Sequence, residues 1–210
     1  MVATTTPSIS LREIYRHHRQ VKGKPRERLI LYSLRLLLGP DFTVRRIPAR
    51  EQRTSPEHVP DIRVLHRSRP ICEIEVTGLD IPWSMLKLKG WIFVLPSKVR
   101  YARKHGREYV LCIFNDAEYP TGEWLLWMPG NELAAHAELA RLADLKWEGQ
   151  TVHGVREKFY MLPKRAFRDG KAGEGLVSLA HYLKWLAGLE KSPDMWALEN
   201  FMADGGIIER

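Results

Sequence analysis

The sequence contains only two cysteines, Cys72 and Cys112, among its 210 residues. Both lie in apolar, strand-like stretches, so we expect core residues in a reducing, cytoplasmic compartment rather than a disulfide framework or a zinc site. No apolar run approaches the roughly 18 residues that a membrane-spanning helix requires. The first ten residues, MVATTTPSIS, also lack the apolar region of a signal peptide. We therefore expect no membrane partner.

Several motifs that would name a reaction are missing from the sequence. It has neither the GxSxG pattern of many serine hydrolases nor the GxxxxGK[ST] phosphate loop. His17 and His18 are the only adjacent histidines, and neighbouring residues of a helix point in different directions, which argues against a metal site there. These absences turn attention from histidine and serine chemistry to the acidic and basic residues.

Acidic residues are scarce in the first third of the chain. Residues 1–70 hold 15 Lys and Arg against 6 Asp and Glu, whereas residues 71–210 hold 18 against 19. Such a surplus suits a phosphate backbone, because each neutralised phosphate releases counterions. A solvated basic arm or an acidic partner is the alternative. The residues expected to contact nucleic acid are Arg12, Arg16, Arg19, Lys22, Lys24 and Arg26.

The order of helix and strand patterns predicts a mixed α/β domain with a partly antiparallel sheet. A helix is predicted to start after Pro25 and to end at Gly39-Pro40. SRP, between two apolar runs, predicts the turn of a hairpin. Strands are predicted at 42–48, 61–67, 71–77, 108–116, 123–130 and 158–164, and further helices at 97–106, 131–145 and 175–189.

Two glutamates, Glu73 and Glu75, interrupt the second hairpin strand, and Asp61 opens the first. Alternate strand residues share a face, so both glutamates lie on one side of the sheet. They either face water, paired with Arg63 or nearby lysines, or surround a cation. Mg²⁺ and Mn²⁺ favour oxygen ligands, and Asp61, Glu73 and the carbonyl of Ile74 supply such a set.

This stretch resembles the PD-(D/E)xK nuclease superfamily, which has the restriction-endonuclease-like fold. Pro60-Asp61 matches the PD element. Glu73-Ile74-Glu75 matches (D/E)xK at its first position and has glutamate instead of the final lysine. Glu27, on the preceding helix, is similar to a glutamate that many members carry there. The resemblance covers roughly residues 26–115.

The resemblance implies a restriction-endonuclease-like core with C-terminal helical additions. It divides the chain into a basic N-terminal arm (1–25), a nuclease-like core (26–128) and a C-terminal extension packed on the core (129–210). Some members move the lysine to the following helix, where Lys98 is the best match.

The implied activity is metal-dependent hydrolysis of phosphodiester bonds, in DNA above RNA. Asp61 and Glu73 then bind Mg²⁺ or Mn²⁺, and Glu75 is a further ligand or a general base. Glu27 orders metal-bound water, and Lys98 stabilises the phosphate in the transition state. Such enzymes often form homodimers, and the Trp-rich C-terminal part is a surface for one.

Two other functions stay open. The missing motif lysine favours a non-catalytic nucleic-acid-binding or assembly subunit on an eroded nuclease fold. A metal-independent RNA endonuclease of the splicing type works through tyrosine, histidine and lysine, and no clear triad of this kind stands out in the sequence.

Overall fold

The computed structural model describes residues 23–48, 51, 58–80, 82–85, 90–140, 142–148, 153–168 and 174–191, with the backbone alone at 142–148 and 153–157. Residues 1–22 of the expected basic N-terminal arm and four of the expected nucleic-acid contacts lie outside these ranges. Those four residues are Arg12, Arg16, Arg19 and Lys22.

A five-stranded mixed sheet forms the centre of the fold, in the order β1-β2-β3-β5-β6. All neighbours are antiparallel except β3 and β5, which are parallel. The chain crosses between these two through β4 and α2. The strands are β1 (Phe42–Arg46), β2 (Ile62–His66), β3 (Arg69–Leu79), β5 (Tyr109–Asn115) and β6 (Leu125–Pro129), with α1 (Lys24–Leu38) before β1, and β4 (Trp91–Val94) and α2 (Pro96–His105) between β3 and β5.

Helices cover both faces of this sheet. On one face, α1 and α4 (Glu174–Leu186) pack on residues such as Cys72 and Ile74. On the other face, α2 and α3 (Gly130–Leu139) pack on Leu111 and Ile113. Every residue of β5 is buried, as its continuous apolar run predicts. Both cysteines are buried core residues.

A second sheet of three strands, in the order β4-β8-β7, contains β7 (Leu142–Glu148) and β8 (His153–Pro163). The helix predicted over 131–145 is therefore wrong in its second half, because α3 ends at Leu139. Pairing with β8 overrides the helical preference of that Leu- and Ala-rich stretch. The C-terminal additions thus contain strands as well as helices, and the division at residue 128 stays a prediction.

The protein has a mixed α/β fold with a partly antiparallel central sheet, as the order of its elements predicts. Within the described ranges, no helix is long and apolar enough to cross a membrane.

Candidate active site

Asp61 and Glu75 lie at the same level of the β2–β3 hairpin. Ile62 pairs with Ile74, so the residue before β2 falls beside the residue after Ile74. The amide of Asp61 donates to the carbonyl of Ile74 at 3.1 Å, and the amide of Val76 donates to Asp61 Oδ2 at 3.0 Å. These bonds hold Asp61 beside β3, the middle strand of the sheet.

Glu75 is a buried carboxylate with two cationic or ionisable neighbours. Lys98 Nζ lies 2.9 Å from Glu75 Oε1, and His58 Nε2 lies 3.0 Å from Oε2. Burial by itself would raise the pKa of this carboxyl, but Lys98 and His58 outweigh it and lower the pKa to about 2. Glu75 is therefore an ionised carboxylate throughout the physiological range.

Lys98 comes from the first turn of α2 and is itself buried. Besides Glu75, its amine contacts the hydroxyl of Thr77. Thr77 follows Glu75 by two residues, on the same face of β3. The helix thus delivers an amine that contacts both of these side chains.

Glu73 lies one pair of residues further along the same face, and its contacts are separate. Arg63, directly opposite on β2, places Nε and Nη2 each 2.8 Å from Glu73 Oε1. The hydroxyl of Tyr101, from α2, donates to Oε2. Both carboxylate oxygens are therefore engaged by the protein itself.

The expected cage of three acids around a cation is not assembled. Among the residues that the structure describes, no group of three or more Asp, Glu, His or Cys is arranged to hold a metal ion. The physical reason is spacing: alternate strand residues stand about 6.6 Å apart, so Glu73 and Glu75 each find their own cation. Of the alternative, the pairing of the two glutamates with Arg63 and a lysine is found, but Glu75 is buried instead of facing water.

Glu27 does not join this cluster. It is buried on α1, and its carboxylate pairs with Arg46 at the end of β1. Arg46 shares the face of Val44, which packs against α1, while Glu73 and Glu75 face α2. A role for Glu27 in ordering water stays a prediction.

Arg26 and Lys24, both expected to contact nucleic acid, lie at the start of α1. The Arg26 guanidinium pairs with Asp116 and is only 11% exposed. It packs across Gly78, where a side chain would overlap it. Lys24 is half-buried. The structure thus gives Arg26 a structural partner, and phosphate contact by either residue stays a prediction.

Three residues near the acids were not among the predicted site residues: His58, Tyr101 and Tyr109. His58 stands three residues before Asp61, a signal that the HVPD stretch carries. The ring of Tyr101 stacks on His105 at 4.0 Å and meets His58 edge-on at 6.0 Å. The buried hydroxyl of Tyr109 has no hydrogen-bond partner within the described ranges. Burial, followed by the charges of Glu75 and Asp61, raises the pKa of Tyr109.

Comparison with known proteins gives a likeness of fold to a solved structure. No family model matches the chain, and no curated protein matches it. Among solved structures, the chain is similar to a nuclease from a fusselovirus, with a TM-score of 0.50 and 19% sequence identity. The match covers 80% of this chain and 95% of that chain. At this identity the likeness concerns the fold alone.

Proposed function

We propose that the protein is a metal-dependent endonuclease that hydrolyses phosphodiester bonds, with DNA as its substrate. The observation that carries the proposal is the placement of Asp61, Glu75 and Lys98 on one face of the central sheet, in a fold similar to that of a nuclease. Two carboxylates beside a buried amine match the requirements of phosphate hydrolysis: oxygen ligands for a cation, and a positive charge for the phosphate.

Mg²⁺ or Mn²⁺ fits this donor set through Asp61 and Glu75. Mg²⁺ is held by one or two carboxylates and completes its shell with water and phosphate oxygens, so a third acid is not required. The buried hydroxyl of Tyr109 lies near these acids and has no hydrogen-bond partner in the part of the chain that the structure describes, so it adds a polar group that suits a hydrated ligand. Glu73 is the weaker ligand in this proposal, because it lies two residues further along β3 from the level of Asp61. Both glutamates already have partners on their oxygens, Arg63 and Tyr101 on Glu73 and Lys98 and His58 on Glu75.

When bound, the cation supplies the charge that polarises a phosphate oxygen and acidifies a water molecule. The residues of the chain do the rest. Glu75 and Thr77 hold the Lys98 amine, so its charge is positioned before the phosphate arrives. His58, against the second oxygen of Glu75, orients that carboxylate. Glu27 has no role in this proposal, because it pairs with Arg46 away from the acids of the hairpin.

Nicking of supercoiled plasmid DNA and cleavage of circular single-stranded DNA test the proposal, each with Mg²⁺, Mn²⁺ or EDTA. We expect divalent-dependent cleavage that falls by about a hundredfold or more in Asp61→Asn and Glu75→Gln. Asp41→Asn is the matched control, because Asp41 is 61% exposed and pairs only loosely with Arg67, at 3.7 Å. Equal activity in all three variants would refute the assignment.

A non-catalytic nucleic-acid-binding subunit is the second candidate. Its support is that the protein's own cations already neutralise Glu73 and Glu75. DNA binding without cleavage by the unaltered protein, with the same affinity in Asp61→Asn, would establish this function instead.

Metal-independent cleavage of RNA is the third. The stacking of Tyr101 on His105, with Lys98 one turn away on α2, supports it. RNA cleavage that persists in EDTA and is lost in Tyr101→Phe would select this function over the first two.

A further inference from the structure

Helix α2 carries a concentration of positive charge on its outer side. Residues 100–107 contain four Lys and Arg and no Asp or Glu, within a part of the chain, 71–210, where acids outnumber bases. All four are exposed. We call this set the α2 basic ridge; it consists of Arg100, Arg103, Lys104 and Arg107.

Three members of the ridge lie on one side of α2. Arg103 and Lys104 follow Arg100 by three and four residues, a spacing that puts about 5–6 Å between Cβ atoms on a helix. Arg107 comes after Gly106, beyond the end of the helix. The opposite side of α2 holds the buried Lys98, Val99 and Ala102. Tyr101, whose hydroxyl contacts Glu73, stands between the two sides, three residues before Lys104. The ridge therefore begins at the border of the candidate site.

Stability of the helix accounts for only part of this pattern. Arg103 and Lys104 lie in the last turn of α2, where cations offset the helix dipole. Arg100 lies in the middle of the helix, where the dipole has little effect. Arg107 follows the helix and lies over the Trp185 ring at 5.5 Å.

The chemistry of the ridge fits phosphate better than a protein surface. Three of its four members are arginines, whose planar forks bind phosphate oxygens in pairs. A protein interface needs an apolar centre, and every exposed position of α2 from 100 onward is charged. We propose that the α2 basic ridge binds the sugar-phosphate backbone of the substrate strand beside the site. This rests on the proposed function, in that the substrate is a nucleic acid.

Salt dependence of binding tests the ridge without any need for cleavage. Fluorescence anisotropy with a fluorescein-labelled DNA duplex and a labelled single strand, in EDTA over a series of KCl concentrations, compares Arg100→Gln/Arg103→Gln with the unaltered protein. Arg67→Gln/Arg69→Gln is the matched control, with the same charge loss at exposed residues by the hairpin turn. Glu75 lies six residues from Arg69, about 20 Å along the strand.

For the ridge variant we expect the slope of log K against log salt to fall by about two units on duplex DNA, because two phosphate contacts are lost. We also expect affinity to fall by roughly tenfold to a hundredfold at low salt. Arg100→Lys/Arg103→Lys keeps both charges and restores most of the slope. Unchanged melting temperatures show that all variants fold.

The outcomes separate the ridge from the hydrolytic proposal. A ridge variant with the slope and affinity of the control variant would overturn the inference, whether or not the protein cuts DNA. If the ridge variant loses the expected two units of salt slope but the unaltered protein never cleaves DNA, the result would support the ridge and count against the endonuclease. If the protein cleaves, the ridge variant shows a raised KM with kcat retained, since the reacting groups are untouched.

Discussion

Replacing Lys98 by methionine removes the charge that faces Glu75 while keeping an unbranched side chain of similar length. The two charged groups are 2.9 Å apart, with side-chain exposures of 10% and 8%. Loss of Lys98 leaves Glu75 buried with His58 as its remaining partner, which is more costly than losing an exposed ion pair. The structure therefore predicts a large effect on folding, separate from any effect on activity.

The size of this effect follows from the pKa of Glu75. Its ordinary value of 4.5 is lowered to about 2 in the folded protein. A shift of this size corresponds to about 3 kcal/mol of stability at neutral pH, since each pKa unit is worth about 1.4 kcal/mol. Because Lys98 provides the leading favourable charge and His58 the next, we expect Lys98→Met to lower the free energy of unfolding by roughly 2–3 kcal/mol, the larger part of this contribution.

Urea unfolding at neutral pH in EDTA measures this loss without a contribution from bound metal. Lys158→Met is the control, because Lys158 is exposed on β8. The double variant Lys98→Met/Glu75→Gln should regain part of the loss, since it leaves no unpaired charge. A single variant within about 0.5 kcal/mol of the unaltered protein would show that the ion pair is not formed in solution, and the site described here would be wrong.

Three further outcomes are expected. Because the folded pKa of Glu75 lies below its unfolded value, its stabilising contribution is complete above pH 4.5 and is lost as the pH falls towards 2; acid titration of unfolding in Glu75→Gln should lack this segment. Tyr101→Phe removes a donor to Glu73 and should cost about 1 kcal/mol by calorimetry, and no change would mean that the hydroxyl faces water. Gly78→Ala places a methyl group against Arg26 and should cost about 1 kcal/mol; an equal loss in an Arg26→Ala background would contradict that contact.

Much of the central sheet could be predicted from local patterns. The hairpin of β2 and β3 and the buried run of β5 have dense apolar sequences that match their burial. Strand β4 could not be identified, because it has four residues and pairs with β8, nearly 70 positions later. The same partner makes a strand of β7, whose composition favours a helix. Both β4 and β7 are strands because they pair with the distant β8, and a short stretch of sequence contains no information on such a partner.

The sequence predicted which residues belong to the site better than it predicted which of them contact each other. Asp61 and Lys98 were expected from the motif, and the structure brings them to Glu75 and Thr77. The choice between the two glutamates depends on register, because Arg63 stands opposite Glu73 and not Glu75. That register includes a shift between Val64 and Leu65, of the kind a β-bulge produces, and no sequence pattern predicts it.

The pairing of β4 with β8 has a consequence for how the protein can be divided. Only Leu95 separates β4 from α2, the helix that carries Lys98, Tyr101 and the basic ridge. A fragment that stopped at residue 128 would keep every acid of the hairpin and lose the strand that anchors the start of that helix. Strand β8 thus supports the position of the Lys98 amine through β4. We expect a protein shortened before β8 to hold this amine less firmly, while its carboxylates keep their places on the hairpin.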